Sequence, residues 1–135
     1  MLIKWLESSR KKYDKYLQLN NLILIIDYNK IQALSKLKDA LPLHNLSKKI
    51  KSFNWNCIEV KNGHSLIELK SKFSKKINNS KPTAIIVHTI KGKGIKEFEN
   101  DPSWHARKLQ GIDLQIGKFA LGIKWEEDLE KLLAT

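Results

Sequence analysis

Residues 89–94 read Thr-Ile-Lys-Gly-Lys-Gly, two lysines alternating with two glycines after an apolar run. Gly92 and Gly94 let the backbone approach a ligand closely, and Lys91 and Lys93 supply positive charge, a combination suited to a phosphate. The segment is not a Walker A loop, because it lacks that motif's spacing and its closing Ser/Thr. Asn29 ends another apolar run. Its side-chain carbonyl is a hard oxygen of the kind Mg²⁺ takes, and asparagine is equally an ordinary turn former. In Glu99 to His105 (ENDPSWH), His105 can donate a hydrogen bond to a phosphate or a hydroxyl, and Trp104 either anchors the loop or walls a ligand. His64 and His88 stand at a turn and a strand end, where they need no function. No Ser-His-Asp spacing and no Asp/Glu pair placed for acid and base work is visible.

These groups need a scaffold, and the hydrophobic pattern supplies one. Asn21 to Gln32 (NLILIIDYNKIQ) opens with a short β-branched run that predicts a strand buried on both faces, with Asp27 and Asn29 at its carboxyl end. Asn56 to Val60 and Thr83 to His88 predict two more strands. Between them, Asn45 is a candidate cap for a helix bearing Leu46, Ile50 and Phe53, and Ser65 for one bearing Leu66, Leu69, Phe73 and Ile77. Charged residues alternating with Leu6, Tyr13, Tyr16 and Leu17 predict an amphipathic helix over Ile3 to Leu19, and Pro42 limits any helix after Leu34. The tail from Arg107 holds Gly111 and Gly117 as breaks, then a short charged helix around Trp125 to Leu133. Strand, helix, strand, helix, strand is the order of an α/β fold, a parallel sheet of βαβ units. In such a sheet the loops after Tyr28, Asn62 and Thr89 leave on one edge, where ligands bind.

Composition bounds the rest. The chain has 135 residues and 41% apolar content, enough for one folded domain. Its formal net charge of +11 attracts phosphates and polyanions in general, and a lysine-rich composition also produces such a charge without a site. Binding of nucleic acid is not expected, since aromatics are not interleaved with the basic residues and no recognised motif is present. Cys57 is the only cysteine, which excludes an intramolecular disulfide and a cysteine-built metal site. Apolar runs are short and Met1-Leu2-Ile3 is followed at once by charge, so neither a signal peptide nor a membrane span is expected and the cytoplasm is the default location.

Taken together, the segments NLILIIDYNKIQ (Asn21 to Gln32), FNWNCIEVKNGH (Phe53 to His64), KPTAIIVHTIKGKG (Lys81 to Gly94) and ENDPSWH (Glu99 to His105) resemble the thiamine diphosphate-binding domain of transketolases, especially the bacterial two-gene kind. They occur in the family's order across most of residues 20 to 106.

The resemblance implies a partial thiamine diphosphate-binding fold in residues 1–106, with 107–135 as a C-terminal tail. It implies that Asn29 binds Mg²⁺ through its side chain and Ile31 through its backbone carbonyl. Gly63 and His64 match the turn beside the cofactor, Lys91 a lysine near it, and His105 a histidine near the diphosphate and the sugar, the one catalytic candidate. The implied cofactors are thiamine diphosphate and Mg²⁺, and the implied reaction moves a two-carbon ketol unit between sugar phosphates. The family's Gly-Asp-Gly segment upstream of Asn29 has no counterpart here, where the chain reads MLIKWLESSRKKYDKYLQL, and its Asp-Gly-His-Asp turn reads Asn62-Gly63-His64-Ser65. The pyrimidine-binding domain, with the glutamate that activates the cofactor, is also absent from the chain. The expectation is therefore a truncated subunit, inactive alone, that forms an oligomer with a pyrimidine-binding chain. The alternatives are a non-catalytic remnant and a basic binding module.

Overall fold

A computed structural model describes residues 20–74 and 81–123 of the chain. They divide into two compact units, 20–28 with Leu41–Thr89, and Asn29–Ala40 with 90–123.

The first unit is built on a parallel sheet of β1 (Ile23–Tyr28), β4 (Asn56–Val60) and β5 (Thr83–His88), in the order β1-β5-β4. Ile25 lies opposite Ile85 and Tyr28 opposite His88, while Asn56 and Val60 lie opposite Thr83 and Val87. Two helices flank it, α2 (Leu46–Ser52) and α3 (Leu66–Phe73). Both begin where the sequence predicts. Asn45 Oδ1 accepts the Lys48 N–H at 2.8 Å, and Ser65 Oγ accepts the Glu68 N–H at 3.3 Å, satisfying donors that a first helical turn leaves open.

Burial of the strands follows their place in the sheet. β5 is central, so Ala84 and Ile86 pack with Leu46, Ile50 and Trp55 on one face while Ile85 and Val87 pack with Val60 on the other. β1 differs from the expectation of two buried faces. Leu24, Ile26 and Tyr28 pack on the first cluster, but Ile23 and Ile25 are 51% and 59% exposed. The cause is positional. Among the described residues β1 is an outer strand, and the opposite face is covered by Leu69 of α3 against the β4 and β5 residues, out of reach of Ile23 and Ile25.

The second unit opens with a small antiparallel hairpin, β2 (Ile31–Gln32) and β3 (Ser35–Lys36), and a four-residue helix α1 (Leu37–Ala40) that stops before Pro42. It continues through two 3₁₀ turns, Lys96–Phe98 and Pro102–His105, to α4 (Gly111–Leu121). Sequence reading takes Gly111 and Gly117 as breaks in a tail, yet Gly117 is buried inside α4. A Cβ there would stand 3.7 Å from Leu109 and 3.8 Å from Ile95, ordinary contact distances, so Gly117 lies where the helix packs on these two side chains. The helices predicted over Ile3 to Leu19 and Trp125 to Leu133 lie outside the described residues, as does the end of the one predicted to reach Ile77.

Candidate cofactor site

In the first unit, β1, β4 and β5 all end on one edge, as parallel strands must. The turn after β4 is held by Glu68, whose carboxylate accepts the N–H groups of Lys61 at 2.7 Å and Asn62 at 3.1 Å. His64 N–H donates to Asn62 Oδ1 at 3.0 Å, which closes the turn on itself, and the His64 side chain is exposed. Gly63 N–H donates to His88 O at 2.8 Å, and a Cβ on Gly63 would lie 2.5 Å from Val87 Cγ1 and 2.7 Å from Thr89 Cγ2. Only glycine allows this approach to the end of β5. Alongside, the Thr89 hydroxyl donates to Asp27 Oδ1, tying β5 to β1 where each strand leaves the sheet.

At the same edge a hollow of about 200 Å³ is lined by Tyr28, His44, Ser47, Glu59, Ile86 and His88. His88 Nε2 is 3.5 Å from Glu59 Oε2 and its ring meets Tyr28 edge-on at 5.3 Å. Cys57 is partly buried, and burial pushes its thiol above the ordinary range, the state of an unreactive small hydrophobe.

In the second unit Asn29 Oδ1 accepts the Ile31 N–H at 2.9 Å, a turn closed by the side chain, with Lys30 at φ 64° between them. Leu37 N–H donates to Lys30 O at 2.8 Å, and Ile31 stands opposite Lys36. Alternation of bonded and non-bonded pairs then makes Ile31–Lys36 a non-hydrogen-bonded pair, so the N–H and C=O of Ile31 both point away from β3. The Ile31 carbonyl therefore faces the side on which Asn29 Oδ1 sits. Asn29 Oδ1 retains a second lone pair, and the Ile31 carbonyl lies on the same edge of the hairpin.

Lys91 starts a loop that Asn100 closes by donating its N–H to Lys91 O at 2.9 Å. Within it Gly92 has φ +76°, and a Cβ there would be 2.5 Å from Phe98 O, so this glycine serves the loop's own closure. Lys93 Nζ is engaged by Glu99 at 3.1 Å. Asp101 then caps the 3₁₀ turn Pro102–His105, accepting from Ser103 N–H at 2.9 Å and Ser103 Oγ at 2.7 Å. These bonds hold the Asp101 carboxyl below its usual range, the side-chain bond contributing most. Trp104 stacks on Phe98 with ring centres 4.0 Å apart, and His105 beside it is exposed. β3 packs against this turn.

Of the residues singled out by sequence, Asn29, Ile31, Lys91 and His105 fall in the second unit, and Gly63 and His64 in the first. Sequence reading missed the Ile31–Lys36 pairing and the Glu68 clasp. The Ser65-x-x-Glu68 spacing, the pattern of a capping box, was the available signal for the latter. Among the described residues no three His, Cys, Asp or Glu side chains come together as a metal nest. No helix among them is long and apolar enough to cross a membrane.

The family described as transketolase, thiamine diphosphate binding domain, matches residues 6–131. The chain belongs to this family. Similar to this transketolase-family chain are an apulose-4-phosphate transketolase subunit of Phocaeicola vulgatus, 33% identical over 89 residues, and human transketolase, 36% identical over 96 residues. The matched part is 65% of this chain and 31% of the first relative, and 68% of this chain and 14% of the second. The chain thus spans well under two thirds of the relatives it matches. The solved transketolase of Campylobacter jejuni superposes on 78% of this chain and 16% of that one, with a TM-score of 0.67 and 25% identity. A Pichia stipitis transketolase variant covers 91% of this chain and 18% of that one, with a TM-score of 0.68 and 25% identity. The parallel α/β arrangement read from the sequence is the arrangement found, and thiamine diphosphate binding is the character of the family.

Proposed function

We propose that this chain is the diphosphate-binding part of a transketolase-type transferase that moves a two-carbon ketol unit from a ketose phosphate to an aldose phosphate. It acts together with a polypeptide carrying the pyrimidine-binding domain. Two relatives are themselves named as subunits of transketolases, which supports an arrangement with a second chain.

The observation that carries the reading is the Asn29–Ile31 turn. Mg²⁺ demands hard oxygens in near-octahedral geometry and commonly shares them between protein and substrate phosphates. Asn29 Oδ1 and the Ile31 carbonyl, on the same edge of the hairpin, are the oxygens this reading assigns to two of those positions. When bound, thiamine diphosphate supplies the carbanion that makes and breaks the carbon–carbon bond. The chain's own residues do the rest. Lys91 adds positive charge for the diphosphate, and the exposed imidazole of His105 donates a hydrogen bond to the diphosphate or to a hydroxyl of the sugar. Gly63 and His64, in the first unit, shape the turn after β4. The test is ketol transfer in a mixture of the two polypeptides with thiamine diphosphate and Mg²⁺. Transfer that is lost on Asn29→Ala and on His105→Ala supports the reading; a mixture without transfer overturns it.

A second reading, an interaction module without chemistry, is favoured by the exposure of Ile23, Ile25, Leu66 and Ile67. Under it the chain binds its partner equally well with Asn29→Ala and never takes up the cofactor.

A further inference from the structure

The 3₁₀ turn that carries His105 is only four residues long, and so short a turn does not hold its own geometry in water. At its start the Asp101 cap holds it, and at its end the setting of Trp104 does. One side of the indole meets Phe98, 7% exposed, at a ring separation of 4.0 Å. Against its ring stands the Arg107 guanidinium, with its central carbon 4.7 Å from the ring centre, well within cation–π range. Arg107 is in turn gripped by Asp113, in the first turn of α4, through an ion pair between Nη2 and Oδ2. Asp113 is the more buried partner on its side-chain atoms, at 13% exposure against 46% for Arg107. The chain of contacts runs from α4 through Asp113, Arg107 and Trp104 to the backbone of His105.

We propose that Arg107 is a positioning residue for His105, acting through Trp104 and held by Asp113. This rests on the reading of His105 as a group that faces diphosphate or sugar. A planar guanidinium can lie on an indole and pair with a carboxylate at once, which an ammonium does not reproduce. Arg107→Lys therefore keeps the charge and removes the brace, and it separates the two roles.

Two readouts decide the matter. The first needs no cofactor: ring carbon–proton signals of His105 and the indole signal of Trp104 in the full chain, by NMR. In both Arg107→Ala and Arg107→Lys the His105 and Trp104 signals move toward their random-coil positions, while the methyl signals of Ile85 and Ile86 stay in place. Unchanged His105 signals in Arg107→Ala overturn the proposal. So does wild-type behaviour of Arg107→Lys, which would reduce the effect to charge alone. The second readout is the double-mutant cycle in the reconstituted transferase. Arg107→Ala lowers kcat/KM by about tenfold in the wild-type background, and has no further effect once His105 is alanine. Additive losses contradict action through His105. If His105→Ala itself costs nothing, the functional reading fails, and the NMR outcome still decides whether Arg107 sets the position of His105.

Discussion

Asn29 turns its side-chain carbonyl onto the N–H of Ile31 at 2.9 Å, and the strand register directs the Ile31 carbonyl to the same side. A turn residue and a metal ligand are usually alternative roles for asparagine at a strand end. Here the turn is what would make the ligand, because the bond that closes it orients Oδ1 and spends only one of its lone pairs.

Gly63→Ala is expected to destabilise the fold by roughly 1–3 kcal/mol, the range for overpacking a filled site. Its Cβ would meet Val87 Cγ1 at 2.5 Å and the His88 carbonyl oxygen at 2.9 Å, and neither a β-branched side chain nor strand backbone can swing away. Urea unfolding of the two proteins measures the difference; equal midpoints would show that the turn relaxes freely.

How much of this was legible in the sequence depends on how local each signal is. Three β-branched runs and the Asn45 and Ser65 caps are local, and each appears where its residues predict. Sidedness is not local. Ile23 and Ile85 belong to equally apolar runs, yet one is half exposed and the other fully buried, because only strand order decides which is central. The α4 helix was hidden by Gly117, which reads as a break until Leu109 and Ile95 are seen beside it. For the candidate site, Asn29, Lys91 and His105 stand out by type, whereas the role proposed for Ile31 lies in its backbone and cannot be read from an apolar side chain.

Ile85→Ala should therefore cost about 2–5 kcal/mol, as for a buried isoleucine truncated to a cavity. Ile25→Ala, on the neighbouring strand in direct register, should fall within about 0.5 kcal/mol of wild type, as exposed positions do. Comparable losses at the two positions, measured by denaturant unfolding, would mean that the outer face of β1 is covered in solution.

Asp101 should confer an acid limit on the His105 turn. Its carboxyl titrates below the ordinary 3.8, chiefly because Ser103 donates to it from side chain and backbone. A depressed carboxyl contributes its full effect above the ordinary value and loses it as pH falls through the lowered one. The Ser103 amide signal is expected to hold steady from neutral pH down to about 4 and to shift below that. In Asp101→Asn that step should vanish; a step that persists would assign the titration to another group.

The Asn29–Ile31 turn is proposed to take part in holding thiamine diphosphate through Mg²⁺. The most direct measurement is calorimetric titration of thiamine diphosphate, with and without Mg²⁺, into this chain mixed with a pyrimidine-domain polypeptide. The predicted result is binding that requires Mg²⁺, appears only in the mixture and is lost in Asn29→Ala. Binding that is unaffected by Asn29→Ala, or none at all in the mixture, would contradict it.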